Sequence, residues 1–149
     1  MNILITSAGR RVSLVKAFKS SSEFLSTNSK VFITDLNLKR SPAKYFADDS
    51  FRTGLFSDPS YIDRLLEICL ENSISVVIPT LDTELALLAK SKSRFNAYGI
   101  DIVISDLHLI EILRDKITTN TFFASLNVKT PIIYNKDNLK FPVFLKPLT

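Results

Sequence analysis

The chain has 149 residues, of which 46% are hydrophobic and 23% are charged, and its formal net charge is +4. This length and apolar content suit one compact globular domain and exclude a disordered or fibrous chain. The single cysteine has no partner for an internal disulfide, and no apolar run approaches the roughly 20 residues of a membrane span. We therefore predict a cytoplasmic protein without a membrane segment. Because Lys and Arg are scattered, we also predict no nucleic-acid partner.

Strand and helix signals alternate from the N-terminus. The apolar run Asn2–Thr6 predicts a strand, and apolar residues at helical spacing follow the turn Ser7–Gly9. The β-branched run Lys30–Thr34 predicts a second strand that ends at Asp35. Asp58–Pro59 then matches an N-cap followed by proline at the first position of a second helix.

The same alternation continues over the next segments. Ser75–Pro79 predicts a buried strand, Thr83–Phe95 a helix closed by Gly99, and Asp101–Ile104 a further strand. Strands that are apolar runs, each separated by a helix, are typical of a parallel sheet covered on both faces. The fold class predicted is α/β, a three-layer domain around a parallel sheet.

The rhythm changes near residue 105. Two consecutive helices, Leu107–Leu113 and Lys116–Leu126, are predicted with no strand between them. We therefore place a first domain at residues 1–114 and a second segment at 115–149.

The end of the second segment has the pattern expected for the start of a further lobe. Ile132–Tyr134 and Val143–Lys146 are predicted to pair as a hairpin across the polar turn Asn135–Lys140. An apolar strand that ends in a lysine is how a nucleotide-binding lobe starts, so we expect this chain to be the front part of something larger.

The first candidate site is the turn Thr6–Arg11, between a strand and a helix. Such a turn exposes backbone N–H groups at the positive end of a helix dipole and can hold an anion. It has one glycine where a dinucleotide fingerprint needs three, and a phosphate loop is absent from the sequence. The alternative is a tight turn in which Gly9 relieves backbone strain while Arg10 and Arg11 are solvated.

The second candidate site is the loop Pro79–Glu84, which follows another strand and should reach the same sheet edge. Asp82 and Glu84 can contact a substrate there, although capping of the following helix is sufficient by itself to explain both acids and is the favoured interpretation. Asp35 ends a strand at that edge too, and we assign it to loop capping. The candidate substrate-binding residues are Gly9, Arg10, Arg11, Asp82, Thr83 and Glu84.

Two other reactive residue types are given structural roles. Cys69 lies on the apolar face of a predicted helix, so we predict a core residue and not a nucleophile. His108 has no spaced Cys or His partners and makes a weak metal ligand. We name no catalytic residue and no metal ligand within the chain.

Four segments, taken in order, resemble one family. They are Asn2–Arg11, Ile78–Leu85, Asp115–Lys116 and Phe141–Pro147. Together they resemble the N-terminal portion of ATP-grasp enzymes, in particular proteins similar to the large subunit of carbamoyl-phosphate synthase. The resemblance implies a Rossmann-like pre-ATP-grasp domain, followed by the start of an ATP-grasp lobe.

The resemblance also implies a reaction and its cofactors. Lys116 and Lys146 correspond to lysines that approach ATP phosphates in that family, and their alternative role is that of ordinary surface lysines. The full-length protein is then a ligase that uses ATP and Mg²⁺ to activate a carboxylate as an acyl-phosphate for attack by an amine or other nitrogen nucleophile. The family's glycine-rich loop and metal carboxylates do not occur before Thr149, so we expect a fragment or a truncated product that is inactive alone.

We also predict partners for the protein and keep two alternative functions. We expect a small-molecule carboxylate or amine substrate and a possible homodimer that covers apolar side chains such as Phe141 and Phe144. The alternatives are a non-catalytic Rossmann-like binding or interaction module and, disfavoured by the missing glycines, a dinucleotide or nucleotide-sugar enzyme.

Overall fold

A computed structural model describes residues 1–24, 28–134 and 136–147. These residues form two compact units, Met1–Ser105 and Asp106–Thr149. The regular elements of the first unit are β1 (Asn2–Thr6), α1 (Val12–Phe24), β2 (Val31–Asp35), β3 (Asp49–Arg52), α2 (Tyr61–Glu71), β4 (Ile74–Pro79), α3 (Asp82–Asn96) and β5 (Asp101–Ile102). Two 3₁₀ turns, Leu38–Arg40 and Pro42–Tyr45, lie between β2 and β3.

All five strands are parallel, in the order β3-β2-β1-β4-β5. Successive side chains of a strand point to opposite faces of the sheet, so β1 serves two cores. Leu4 packs with apolar residues of α2 and α3 on one face, whereas Ile3 and Ile5 pack with Val15 of α1 on the other. The predicted three-layer α/β architecture with a parallel sheet is confirmed.

The structure differs from the sequence interpretation at three places. Strand β3, Asp49–Arg52, was not predicted, because an edge strand with exposed ends lacks the apolar run of a central strand. Helix α2 begins at Tyr61, since Asp58 accepts hydrogen bonds from the backbone N and the hydroxyl of Ser60 in a turn ahead of the helix. Strand β5 is shorter than predicted and ends at Ile102.

The second unit contains α4 (Leu107–Arg114) and α5 (Lys116–Ser125), which confirms the two consecutive helices. Asp115 caps α5, because its carboxylate accepts hydrogen bonds from the backbone N of Ile117 and of Thr118, both at 2.8 Å. The compact units divide after Ser105, ahead of the predicted limit at residue 114.

The predicted hairpin is wrong. Residues 128–134 and 136–147 contain no strand, while Asn135 of the predicted turn lies outside the described residues. An isolated two-stranded hairpin is marginally stable until further strands or a helix cover its apolar face. The side chains of Phe141 and Phe144 are 79% and 83% exposed, so no such cover is present over them. None of the described helices is long and apolar enough to cross a membrane.

Asp48 connects α1 and β2 through its side chain. Its carboxylate accepts a hydrogen bond from Lys19 Nζ at 2.6 Å and one from the backbone N of Val31 at 2.7 Å. Partial burial by itself raises the pKa of this carboxyl, but the two hydrogen bonds and the positive charges of Lys19 and Lys30 outweigh burial, and the net pKa is lowered below 3.8.

This lowered pKa predicts an acid-dependent contribution of Asp48 to stability. A group with a depressed folded-state pKa stabilises the fold above its unfolded pKa, and the contribution is lost as pH falls through the folded value. We expect Asp48→Asn to lower the free energy of unfolding by about 1 kcal/mol near neutral pH, with the difference shrinking in acid below 3.8. Urea unfolding at several pH values measures this. Asp137→Asn, at an exposed aspartate, is the control, and equal losses in both variants would refute the role.

Candidate functional site

The two predicted loops meet at one edge of the sheet. The turn Thr6–Arg11 begins at the last residue of β1, and the segment Thr80–Glu84 directly follows β4. These two strands are hydrogen-bonded neighbours, with Thr6 opposite Pro79. Strands β2 and β3 lie on one side of β1, and β4 and β5 lie on its other side, so the direction of the strand order reverses between β1 and β4. Ligands of open α/β sheets bind at such a switch point. We call the space between the two loops the crevice.

A buried carboxylate holds the base of the crevice together. Glu84 has no exposed surface, although it lies in the first turn of α3. Five donors surround its two oxygens: Thr6 Oγ1 at 2.8 Å, Ser7 Oγ at 3.2 Å, Tyr61 Oη at 2.9 Å, and the backbone N of Thr80 at 3.2 Å and of Leu81 at 3.3 Å. Glu84 therefore connects β1, α2 and the loop after β4.

Tyr61 is kept as a hydrogen-bond donor in this network. Its side chain is 1% exposed, and burial, with a further contribution from the Glu84 carboxylate, raises the pKa of the phenol above its usual range. The hydroxyl thus remains protonated and donates to Glu84 Oε2. Tyr61 was not predicted as part of the site, because it lies 23 residues before Glu84 and the sequence carries no local signal of their contact.

Thr80 and Arg11 form a second set of links across the crevice. Thr80 Oγ1 donates to the carbonyl oxygens of Thr6 at 2.9 Å and Ser7 at 3.0 Å, and Arg11 Nη2 donates to the Thr80 carbonyl at 3.2 Å. Ser7 has a positive φ of 51°, which is uncommon for a residue with a side chain. These bonds, with the one from Ser7 to Glu84, hold the first loop in that conformation.

Gly9 is needed for space. Its backbone N donates to Asp35 Oδ2 at 2.9 Å, and a Cβ at this position would lie 2.3 Å from that oxygen and 2.7 Å from Ser41 Oγ. The positive φ in this turn belongs to Ser7 and not to Gly9, which corrects the idea that the glycine relieves backbone strain. Asp35 also accepts from the backbone N of Asn37 at 2.8 Å, as expected for a loop-capping residue.

The remaining candidates fall into two groups by exposure. Arg10, Asp82 and Thr83 are exposed, and the described residues provide no hydrogen bond or ion pair to the Arg10 side chain. Asp82 is the first residue of α3 and not its N-cap, which is Leu81. Glu84 is completely buried, and its Oε1 accepts from the N-cap backbone N of Leu81, which agrees with the capping interpretation.

The crevice is suited to an anion. Arg10 and Arg11 contribute two cations, and helices α1 and α3 both begin at this edge, where their dipoles are positive. The one carboxylate deepest in the site, Glu84, is already surrounded by donors. Within the described ranges, no group of three His, Cys, Asp or Glu residues is placed to hold a metal ion.

The two candidate ATP lysines belong to the second unit. Lys116 is exposed at the first position of α5, directly after its cap Asp115. Lys146 is also exposed, and its Nζ lies 5.4 Å from the centroid of the Phe144 ring. The strand that was predicted to end at Lys146 is absent, and residues 143–146 have no regular secondary structure.

Cys69 agrees with its predicted role as a core residue. Cys69 is completely buried in the core formed with α2, and burial raises the pKa of its thiol to about 12, which suppresses the thiolate form. His108 is exposed on α4.

Solved structures with a similar fold are parts of much larger enzymes. The biotin carboxylase domain of Hydrogenobacter thermophilus 2-oxoglutarate carboxylase, solved with MgADP, ADP and bicarbonate, matches with a TM-score of 0.57 and 18% identity over 87% of this chain. A single-chain, multi-domain long-chain acyl-CoA carboxylase matches with a TM-score of 0.60 and 15% identity over 91% of the chain. Pyruvate carboxylase from Rhizobium etli gives 0.56 and 14% over 89%.

The matched region is a minor part of each of these proteins. This chain covers 28%, 14% and 13% of the three structures, in the same order. At these identities the likeness concerns the fold, and it confirms the predicted Rossmann-like α/β class. No curated protein sequence matches the chain.

A family model delimits the matching part of the sequence more closely. The model of PylC-like N-terminal domains matches residues 3–103, which is close to the first compact unit, Met1–Ser105, and includes the strands of the sheet apart from Asn2 of β1. The predicted resemblance to the domain that precedes an ATP-grasp fold is thereby confirmed. The chain belongs to the family of PylC-like N-terminal domains.

Proposed function

We propose that this chain supplies the N-terminal domain of a cytoplasmic ATP-grasp ligase that activates a carboxylate as an acyl-phosphate and joins it to an amine or other nitrogen nucleophile. The crevice between Thr6–Arg11 and Thr80–Glu84 receives one of the two small-molecule substrates. The chain covers 28% and 14% of two carboxylases that share its fold, and we assign the catalytic lobes to the remainder of such a ligase. By itself the chain is inactive.

The observation that carries this proposal is the pre-organised crevice at the strand-order switch. Its two loops are joined by Glu84 and Thr80, and Arg10 and Arg11 provide positive charge at its rim. A guanidinium recognises a carboxylate through two parallel N–H donors, so a substrate carboxylate is the group best suited to this site. Binding here costs little ordering, since both loops are already held in place.

ATP with Mg²⁺ is assigned to the second unit and the lobes that follow it in a complete ligase. Lys116 and Lys146 are compact charges that neutralise phosphate oxygens without a planar partner. The chain's own carboxylates offer no metal cluster within the described residues, so we assign the Mg²⁺ ligands to the rest of the enzyme. The exposed side chains of Phe141 and Phe144 are covered there, or by a second copy of the chain.

The proposal predicts a crossed pattern of kinetic effects in the complete enzyme. Lys146→Ala is expected to raise the KM for ATP about 10-fold or more and to leave the KM for the carboxylate within about 2-fold, because it removes a charge-assisted contact to phosphate. Arg10→Gln is expected to do the opposite. Initial-rate kinetics with each substrate varied in turn measures both.

Lys140→Ala is the matched control, since Lys140 is an exposed lysine of the same segment. The nucleotide assignment fails if ATP affinity and turnover in Lys146→Ala equal those of the control. The crevice assignment fails if Arg10→Gln changes neither KM. Failure of both, together with no ATP turnover by the complete protein, would support a non-catalytic binding module.

A further inference from the structure

A second concave site lies on the same sheet edge, one strand away from the crevice. It is a cleft of about 900 Å³ formed by the segments that follow β2 and β3. Its walls are Leu36, Asn37, Leu38, Lys39, Arg52, Gly54, Leu55, Ser57 and Asp58, none of which belongs to the crevice. Small-molecule sites are typically about 300–1,000 Å³, so the cleft is large enough for a ligand.

Two cations of the cleft form no ion pair within the described part of the chain. Arg52 and Lys39 make no ion pair and no side-chain hydrogen bond with any described residue. Arg52 lies opposite Asp35 in the register of β2 and β3, but both oxygens of Asp35 accept backbone N–H groups, from Gly9 and Asn37. The nearest carboxylate in the register is therefore engaged elsewhere.

The other acid of the cleft is engaged as well. Asp58 Oδ1 accepts from the backbone N of Ser60 at 2.9 Å and from its hydroxyl at 2.7 Å, and these bonds lower the pKa of Asp58. Asp58 is ionised but is oriented by its own turn, and it faces Gly54, where an added Cβ would meet Asp58 Oδ2 at 3.2 Å. The ionised carboxylate of Asp58 repels negative charge, so it restricts where a ligand with a second negative group can place that group.

Apolar surface completes the cleft. Leu36 and Leu55 are 46% and 58% exposed, which leaves a large share of each leucine in contact with water. Covering such surface with an aliphatic group is favourable, because apolar area is removed from water. The cleft thus combines unpaired cations with apolar walls, and a short aliphatic acid matches both features.

We propose that this cleft binds a small aliphatic carboxylate, with Arg52 as the principal partner of the carboxylate, Lys39 as a second cation, and Leu36 and Leu55 against the aliphatic part. The planar fork of Arg52 suits a carboxylate in a way that a lysine ammonium does not. This site is separate from the crevice and does not depend on the ligase reaction proposed above.

The test is a titration of the 149-residue chain with sodium hexanoate, followed by ¹H–¹⁵N correlation spectra. We expect saturable shifts in residues 36–39 and 52–58, and a Kd raised about 10-fold by Arg52→Gln, since a charge-assisted pair is lost. Lys39→Gln should weaken binding to a smaller extent. Arg40→Gln is the matched control, because Arg40 is an exposed neighbour of Lys39 that does not line the cleft.

Parallel titrations separate the two parts of the proposal. Hexylammonium, which has the same chain and the opposite charge, is expected to cause no saturable shift in these segments. If inorganic phosphate bound there as tightly as hexanoate, the aliphatic part would be wrong. Absence of saturable shifts with hexanoate, or equal weakening by Arg52→Gln and Arg40→Gln, would overturn the site while leaving the kinetic test of the crevice unaffected.

Discussion

Replacing Glu84 with alanine is expected to lower the free energy of unfolding of the chain by about 3 kcal/mol or more. The substitution removes the common acceptor of five donors, of which Thr6 is completely buried and Tyr61 is 1% exposed. A buried donor without an acceptor has lost its hydrogen bonds to water and makes none in the protein, so the folded state is destabilised. The backbone N–H groups of Thr80 and Leu81 also lose their partner, so the loop after β4 loosens.

Glu84→Gln separates the loss of packing from the loss of acceptors. Its amide oxygen can accept from Thr6 and the two backbone groups at the Oε1 position, while its NH₂ meets the hydroxyls of Ser7 and Tyr61, which can rotate to accept. We therefore expect a smaller loss, of about 1–2 kcal/mol. Urea unfolding followed by circular dichroism measures both variants.

Asp82→Ala is the matched control for Glu84, because both acids lie in the first turn of α3 but Asp82 is exposed. Loss of its interaction with the helix dipole costs about 0.3–1 kcal/mol. If Asp82→Ala and Glu84→Ala destabilise the chain equally, the carboxylate of Glu84 is a helix-terminal charge only, and its role as the connector of the crevice is refuted.

The second large effect is expected at Gly9. Gly9→Ala places a methyl group 2.3 Å from Asp35 Oδ2 and 2.7 Å from Ser41 Oγ. Asp35 is a short side chain whose two oxygens each accept a backbone N–H, so it cannot move without breaking those bonds. We expect a loss of about 2 kcal/mol from this overpacking. The crevice loop should also shift, which weakens substrate binding in the complete enzyme.

Gly54→Ala is the comparison for Gly9→Ala. An added Cβ there approaches only Asp58, at 3.2 Å, in an exposed loop. Alanine lowers the conformational entropy of the unfolded chain, which stabilises the folded state by about 0.4–1 kcal/mol. This gain offsets the close contact, so we expect almost no net change in the free energy of unfolding. Thermal unfolding of the two alanine variants decides the point, and equal midpoints would show that the close approach of Asp35 is not a constraint.

Much of the layer architecture could be predicted from local pattern. Strands β1, β2 and β4 are apolar runs because both faces of a central parallel strand are buried, and that pattern is visible in single segments such as Asn2–Thr6. Helices α4 and α5 were also predicted, as two consecutive helical patterns with no strand between them. Edge strand β3 escaped prediction because half-exposed strands lack such a run.

The location of the two candidate loops could be predicted from the sequence, but the contacts within them could not. The positions of the loops after β1 and β4 follow from chain order, since parallel strands bring their carboxyl ends to one edge. The roles within the loops depend on partners far apart in sequence. Tyr61 and Glu84 meet only when α2 and α3 pack on the same face, and Asp35 reaches Gly9 only when β2 lies beside β1.

The sequence by itself therefore determined the parallel α/β fold, because strand and helix periodicity are local properties, and its ordered motifs carried the resemblance to the family. Because parallel strands bring their carboxyl ends together, the sequence also placed the loops after β1 and β4 at one edge of the sheet. Only the tertiary structure decided that Glu84 is a buried connector, that Gly9 provides space for Asp35, and that Arg52 and Lys39 line a separate cleft. The physical reason is that burial and hydrogen-bond partners are set by which elements pack together. The same type of residue, an acid at a helix start, is exposed at Asp82 and fully enclosed two positions later.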